Sequence, residues 1–294
     1  MSVSNSIIGV YDFVTDNLMG KPKHPDPCQG MNENLYEQWV AANKNEYAKP
    51  LAELKTKITH VSYEHFQIVL KETIERFLST ISNKSRFVSL VEPGKSQKWV
   101  TEIAIQNGLK ASAYVCIGEE GANNLEYAVQ NISSKDRRFK HYVIVDDGSY
   151  SGNQMTNNIS TAYRILKEKF ADEPIFHVLI PFITKTASTK INNLKTKGII
   201  VNLHSSIEMP TVYEAISEEK RAKVLQILWP HQSGSKQDNL AKSTALYWFD
   251  HKIPNSMSFP EVLATGIVTQ AKEGVDDSPI PFIPPVHPPY KERI

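Results

Sequence analysis

The sequence predicts an α/β protein in which helices flank a parallel β-sheet. Two observations support this fold class: five short apolar runs lie within residues 86–204, and helical segments separate most of them. The runs are continuously apolar, which is typical of strands that are covered on both faces. Strands that alternate with helices form right-handed crossover units, and such units build a parallel sheet.

The predicted elements follow one another in a regular order. A helix comes first, because apolar residues recur at three- and four-residue steps from Phe66 to Ile81. The strands and further helices are then bounded by the changes in periodicity. The predicted strands cover residues 86–91, 111–117, 141–145, 175–183 and 199–203, and the later helices lie near residues 97–107, 152–170, 187–197 and 217–228.

This periodic part of the chain predicts a core domain over residues 63–206. Residues 1–62 are polar and weakly periodic, so we expect an N-terminal extension there. Residues 207–294 predict a C-terminal extension with a helix, a hood over the core and a tail. The tail is too rich in proline for a helix or a central strand, and an extended polyproline conformation suits it.

Composition excludes several classes of protein. Of 294 residues, 40% are hydrophobic and 22% charged, as in soluble globular proteins. The net charge of +1 gives no global attraction to nucleic acid or to an anionic membrane. No run approaches about 20 apolar residues, and the first residues lack the pattern of a secretory signal. We therefore expect a cytoplasmic protein with no membrane or nucleic-acid partner, although export by a specialised secretion system would leave the same sequence.

The long polar connection over residues 118–140 interrupts the alternation of strands and helices. Loops of this length inside a compact domain are commonly functional lids or disordered inserts. Arg137 and Arg138 lie near its end. Two interpretations stay open: a lid whose cations cover an anionic ligand, or a solvated insert whose charges keep it soluble.

The most informative segment is VIVDDGSYSGNQ, residues 143–154, which joins an apolar strand to a long helix. At the carboxyl end of a parallel strand such a loop opens into the crevice where α/β sheets bind ligands. Gly148 and Gly152 let the backbone approach a ligand closely. The following helix offers free N–H groups and a partial positive charge, which suit a phosphate. Ser149 and Ser151 can add hydroxyl donors.

Asp146 and Asp147 complete this segment. Ionised carboxylates accept paired hydrogen bonds, so the two residues suit the vicinal hydroxyls of a sugar. One loop thus offers places for a phosphate and a sugar diol side by side. The alternative is a generic strand–turn–helix connection that the two aspartates cap.

Residues 143–154 resemble the phosphoribosyl diphosphate signature of type I phosphoribosyltransferases, in which apolar residues precede two acidic residues and a Ser/Thr-Gly pair. The order of elements over residues 86–204 is also similar to the core of that family. The resemblance implies a Rossmann-like parallel sheet flanked by helices, with Asp146 and Asp147 on the ribose hydroxyls. It implies a cradle for the 5′-phosphate that consists of Gly148, Ser149, Tyr150, Ser151, Gly152, Asn153 and Gln154.

The segment EPGKS, residues 92–96, falls where that family binds diphosphate. Lys95, between Gly94 and Ser96, is apt for the diphosphate oxygens, and we expect it to act in catalysis with the aspartate pair. Gly-Lys-Ser also ends a nucleotide-binding P-loop. That motif requires a glycine where this chain has Ser89, so the P-loop is the weaker interpretation.

Further cations are predicted to contact the substrate, namely Lys185 and Lys252. Lys252 belongs to an Asp250-His251-Lys252 cluster after an aromatic run. The cluster suits either a diphosphate or acceptor contact, or a strand end whose polar groups bind one another. The surrounding sequence is similar to a little-characterised bacterial branch of phosphoribosyltransferase-like proteins, some of them linked to retron defence systems.

The resemblance implies an enzyme that transfers ribose 5-phosphate from phosphoribosyl diphosphate to an unidentified acceptor with release of diphosphate. Mg²⁺ would be held mainly by ligand oxygens and waters. One residue departs from the family pattern: Tyr150 stands where many members that salvage nucleobases have an acidic base. Two alternatives therefore stay open: a sensing or effector module that binds a phosphoribosyl compound without turnover, and a toxin that uses the fold against a macromolecule or nucleotide.

Overall fold

The computed structural model describes residues 45–82, 85–92, 96–117, 139–170, 173–229 and 232–249. These residues belong to two compact units. The described part of the first unit is residues 62–209, and that of the second is residues 45–61 together with 210–249. The proline-rich tail lies outside the described residues.

Helices and short strands alternate along the chain. The strands are β1 (Thr59–Val61), β2 (Phe87–Val91), β3 (Ala113–Cys116), β4 (His141–Val145), β5 (Gly148–Ser149), β6 (Ile175–Leu179), β7 (Phe182–Thr184), β8 (Ile200–His204), β9 (Ile207–Met209) and β10 (Tyr247–Phe249). The helices are α1 (Asn45–Lys55), α2 (Tyr63–Thr80), α3 (Ser96–Gln106), α4 (Asn153–Lys169), α5 (Lys185–Asn192), α6 (Val212–Ala215), α7 (Glu218–Leu228) and α8 (Ser235–Ser243), and a 3₁₀ turn (Asn193–Lys197) follows α5.

The first unit is built on a parallel sheet of five strands in the order β3-β2-β4-β6-β8. This sheet confirms the predicted α/β class. The chain runs from β2 outward to β3 and then returns to β4 on the other side of β2. The carboxyl ends of β2 and β4 therefore flank a point where the strand order reverses, and α/β sheets bind ligands at such points.

Helices cover the main sheet because their apolar residues recur on one side. Ser62 caps α2, since its Oγ accepts a hydrogen bond of 3.1 Å from the backbone N–H of His65. Phe77 of α2 lies edge-on to Phe87 of β2, with ring centroids 5.5 Å apart. Buried apolar residues also pack α4 and α5 against the strands. They include Val88, Leu90, Ile144, Met155, Ile159, Ala162, Leu166, Phe176, Val178, Ala187 and Ile191.

The prediction of one strand over residues 175–183 is wrong, because the strand is interrupted at residues 180–181, where Pro181 lies. Proline has no N–H to donate, and its carbonyl here accepts hydrogen bonds from the N–H groups of Ser206 and Ile207 at 3.3 and 2.9 Å. The residues after the break form β7. This strand leaves the main sheet and pairs with β5 and β9 in a second parallel sheet of three strands.

The second unit joins two segments that are distant in sequence. Strand β1 pairs in parallel with β10, with Thr59 opposite Tyr247 and Val61 opposite Phe249. Leu51 and Leu54 of α1 are buried with residues of α7. Lys220 of α7 donates to Glu53 at 2.8 Å. Among the described helices of both units, none combines the length and apolar character that a membrane crossing requires.

Candidate active site

The signature segment lies at the point where the strand order reverses. Strand β4 ends at Val145, and Asp146 and Asp147 follow it with only 7% and 8% of their surfaces exposed. The next two residues form β5, in which Gly148 lies opposite Phe182 of β7. Three residues separate β5 from the start of helix α4. The predicted order of strand, acidic pair, turn and helix is therefore present.

Gly152 holds the N-terminus of α4 against α5. Its φ of +71° lies in the left-handed region, which favours glycine. A Cβ at this position would lie 3.0 Å from the Cα of Ala187 and 3.2 Å from its carbonyl oxygen. The hydroxyl of Thr184 donates to the carbonyl of Tyr150 and accepts from the N–H of Ala187 at 3.1 Å. The turn before α4 is thus fixed by its contacts with the start of α5.

The Asp146 carboxylate accepts hydrogen bonds from two different parts of the chain. Its Oδ1 accepts from the hydroxyl of Ser96 at 2.7 Å and from the backbone N–H of Asp147 at 3.0 Å. Its Oδ2 accepts from Nε2 of Gln97 at 3.4 Å. Ser96 and Gln97 open α3, which follows β2. The carboxyl ends of β2 and β4 are therefore joined through side chains.

Glu92 makes a second link across the same crevice. Its Oε2 accepts from Nε2 of Gln154 at 2.7 Å and from Nδ2 of Asn158 at 2.8 Å. Both donors belong to the first two turns of α4. Gln154, which was predicted to contact a phosphate, has its amide on Glu92 here. The end of β2 and the beginning of α4 are therefore held together by a carboxylate.

Helix α5 contains two lysines, and one of them contacts the predicted phosphate cradle. Lys185, which was predicted to contact the substrate, is exposed at the first position of α5. Lys190, which was not predicted, donates to Oδ1 of Asn153 at 2.5 Å. The N–H of Asn153 in turn donates to the Ser151 hydroxyl at 3.4 Å. A cation is therefore hydrogen-bonded to the first residue of α4.

Tyr150 occupies the position where the family that residues 143–154 resemble often has an acidic base. Burial raises the pKa of its phenol well above the usual value, and the charges of Asp147 and Asp146 raise it further. The phenol therefore stays protonated at neutral pH. It can donate a hydrogen bond, but it has no ionised form available as a general base.

The structure does not describe every predicted site residue. Gly94, Lys95, Arg137, Arg138 and Lys252 lie outside the described residues, and so does most of the predicted lid.

Sequence reasoning also missed the contacts of three side chains at this site, although Glu92 opens the segment predicted to bind diphosphate. Gln97 had a detectable signal, because it is a polar residue on the apolar stripe of α3, in step with Val100 and Ala104. Glu92 and Lys190 had none, because their contacts depend on how α4 packs against β2 and α5.

The reversed strand order, the acidic pair and the glycine turn leading into a helix define an α/β protein with the type I phosphoribosyltransferase fold. This class agrees with the resemblance of residues 143–154. The family model PRTase-CE, in which PRTase abbreviates phosphoribosyltransferase, matches residues 37–265. The chain belongs to the PRTase-CE family.

Two similar solved structures have low sequence identity to this chain. One is a hypothetical protein from Neisseria gonorrhoeae with bound ppGpp, at 13% identity and a TM-score of 0.32, covering 57% of this chain and 96% of that chain. The other is the xanthine-guanine-hypoxanthine phosphoribosyltransferase of Helicobacter pylori, at 18% identity and a TM-score of 0.29, covering 47% of this chain and 96% of that chain. Comparison with curated protein sequences gave no match.

Proposed function

We propose that the protein transfers ribose 5-phosphate from phosphoribosyl diphosphate to an acceptor nucleophile and releases diphosphate. The observation that carries the proposal is the position of Asp146 and Asp147. They follow β4 at the reversal of strand order, directly before the turn and helix α4. Family membership supports phosphoribosyl chemistry in general. The donor, the metal and the roles of single residues belong to the proposal.

In this proposal the ribose and its 5′-phosphate bind along residues 146–153. The carboxylates of Asp146 and Asp147 accept hydrogen bonds from the ribose hydroxyls. The 5′-phosphate accepts from backbone N–H groups between Gly148 and Asn153, where the partial positive charge of the α4 N-terminus favours an anion. The Lys190 ammonium beside Asn153 adds a full positive charge near the phosphate.

The reaction forms one bond and breaks one. The lone pair of the acceptor forms a bond to C1 of the ribose, the C1–oxygen bond breaks, and its electron pair leaves with diphosphate. The proton of an N–H acceptor passes to the departing diphosphate or to water. Positioning and electrostatic stabilisation supply most of the catalysis in such a step. Lys95, with Gly94 and Ser96, would face the leaving diphosphate, and Arg137, Arg138 and Lys185 are the further cations proposed to contact the substrate.

The residues present fit a magnesium ion. Carboxylate oxygens are hard ligands of the kind that Mg²⁺ takes, and Asp146 and Asp147 supply two nearly buried carboxylates. Oxygens of the ligand and waters would supply most of the coordination. The ion, when bound, would neutralise charge on the diphosphate.

A second candidate function is binding without turnover, as a sensing or effector module. Tyr150 favours it, because burial raises the pKa of its phenol, and a protonated phenol is a poor base at neutral pH. An acceptor that needs no deprotonation from this position would still react. Both candidate functions therefore require binding of a phosphoribosyl compound, and only the first requires turnover.

Diphosphate release separates the two candidates. The purified full-length chain is incubated with phosphoribosyl diphosphate, Mg²⁺ and a panel of nucleobases and amines, and diphosphate is measured. We expect acceptor-dependent release that Asp147→Asn abolishes and that Glu208→Gln, an exposed change on β9, leaves intact. Binding of phosphoribosyl diphosphate without release by any acceptor supports the sensing module, and absence of binding refutes both.

A further inference from the structure

Helix α5 and the 3₁₀ turn present a positively charged surface, which we call the lysine face. Its four lysines have exposed side chains and are Lys185, Lys190, Lys195 and Lys197. Residues 174–207 contain no aspartate or glutamate. The lysine face is therefore strongly positive, whereas the net charge of +1, which predicted no nucleic-acid partner, is an average over the whole chain.

The elements that pack against α5 add almost no negative charge to this surface. Helix α5 contacts α4, β7 and β8, and neither strand contains an acidic residue. The acidic residue of α4 is Glu168, near its C-terminal end, and Arg164 lies 3.9 Å from it. Within the part of the chain that the structure describes, none of the four lysines is paired with a carboxylate. Their positive charge is thus not neutralised there.

The apolar residues of the same segment determine which side faces the solvent. Ala187, Ile191 and Leu194 are buried with residues of the main sheet, at 0, 0 and 2% exposure. The exposed positions between the lysines carry hydroxyl and amide groups, namely Thr189, Asn192, Asn193 and Thr196. Eight helical residues and five residues of 3₁₀ turn extend at most about 22 Å along the surface.

The composition of the lysine face favours a nucleic acid over a protein or a membrane. Lysine is depleted in protein–protein interfaces. A helix that binds a membrane surface inserts apolar side chains, and those of this segment are buried. Lysine, hydroxyl and amide groups together are the donors that contact phosphate oxygens in protein–DNA complexes. Residues 185–197 contain no aromatic residue to stack on a base and no arginine to bind a guanine edge.

We propose that the lysine face binds nucleic acid through the phosphate backbone, without preference for sequence. The inference does not depend on the proposed function, because it rests on the charge and exposure of this surface. A duplex carries one negative charge per about 1.7 Å of its axis, so four lysines within about 22 Å can each contact a phosphate. Each contact releases condensed counterions, and binding therefore weakens as the salt concentration rises.

Fluorescence anisotropy with the full-length chain tests the inference. Labelled single-stranded RNA, single-stranded DNA and duplex DNA, each in two unrelated sequences, are titrated between about 50 and 200 mM salt. The logarithm of the association constant should fall linearly with the logarithm of the salt concentration. Four contacts give a slope of about −2.8 for a single strand and about −3.6 for a duplex, and the two sequences should bind equally.

The double variant Lys195→Gln and Lys197→Gln removes two charges that the proposed function does not use. Its slope should be shallower by about 1.4 for a single strand and about 1.8 for a duplex. Lys71→Gln with Lys110→Gln is the matched control, because both lysines are exposed, belong to the same unit and change the net charge equally. The control should keep the wild-type slope.

The outcomes separate the partners. Binding of RNA alone or DNA alone with the expected slopes supports the inference and identifies the polymer. Absence of binding at about 50 mM salt overturns it, and so does a slope that is the same in the double variant and the control. Lysine-dependent binding to phosphatidylserine vesicles without binding to nucleic acid would assign the surface to a membrane and also overturn it. The proposed function stands or falls separately, on diphosphate release with small acceptors.

Discussion

Replacing Gly152 by alanine tests how closely the N-terminus of α4 packs against α5. The left-handed backbone, at φ +71°, disfavours an L-residue by about 1–2 kcal/mol. The new Cβ would also lie 3.0 and 3.2 Å from backbone atoms of Ala187, which cannot rotate away. Overpacking of this kind destabilises by roughly 1–3 kcal/mol. We therefore expect Gly152→Ala to lower the free energy of unfolding by roughly 2–5 kcal/mol.

Gly198→Ala is the matched control for this change. Gly198 has a φ of +78°, close to that of Gly152, but no atom lies within 4 Å of the position that its Cβ would take. It should lose about 1–2 kcal/mol, the backbone contribution alone. The effect of alanine on the unfolded chain is the same in both variants and cancels in the comparison.

Urea denaturation of the two variants measures the difference. Both glycines belong to the first unit, so the same transition reports on both. We expect Gly152→Ala to have the lower midpoint at an unchanged m value. Equal midpoints would show that the contact with Ala187 carries no energy, and the account of a turn fixed by α5 would then be wrong.

Three further predictions follow from the site and the core. The double change Asp146→Asn and Asp147→Asn should weaken phosphoribosyl diphosphate binding by two or more decades in calorimetry, since each charged hydrogen bond contributes roughly 1.5–3 kcal/mol. Unchanged affinity in a folded variant would refute the assignment of the two aspartates to the ribose. Burial, together with two neighbouring histidines, lowers the pKa of His177 from 6.5 to about 4. The unfolded chain then binds this proton more tightly, so stability should fall between about pH 6.5 and pH 4 by up to roughly 3 kcal/mol in denaturation curves, and less steeply in His177→Gln. Glu92→Ala should cost about 1–3 kcal/mol in urea denaturation, because it removes two hydrogen bonds between α4 amides and a charged carboxylate. Exposed Glu75→Ala should cost about 0.5 kcal/mol or less, and equal losses would show that the link is unimportant.

The parts of the fold that the sequence predicted are those with long periodic signals. The predicted strand over residues 141–145 coincides with β4, and the predicted helix over residues 152–170 coincides with α4 to within one residue at each end. The strand is a continuous apolar run, the helix has its apolar residues on one face, and glycine or polar residues mark the ends. The acidic pair and the turn between β4 and α4 were found because these residues are contiguous in sequence.

The parts that escaped prediction depend on contacts between distant residues. Strand β5 has two residues and β9 has three, too few for a periodicity of two to appear. Pro181 marked the break within residues 175–183, but the apolar run continues on both sides of it. The hydrogen bond between Gln97 and Asp146 joins residues that are 49 positions apart, and it requires β2 and β4 to be neighbours.

The discontinuity of the second unit has a consequence for how the chain folds as it leaves the ribosome. Residues 62–209 are contiguous, so the nascent chain holds the whole described part of the first unit before any residue of β10 has been made. Strand β1 is synthesised early, but its partner β10 begins only at Tyr247. Because domains fold as units during synthesis, the phosphoribosyltransferase core has time to form before β10 is available to pair with β1. The second unit is then completed after the first, from segments made before and after residues 62–209.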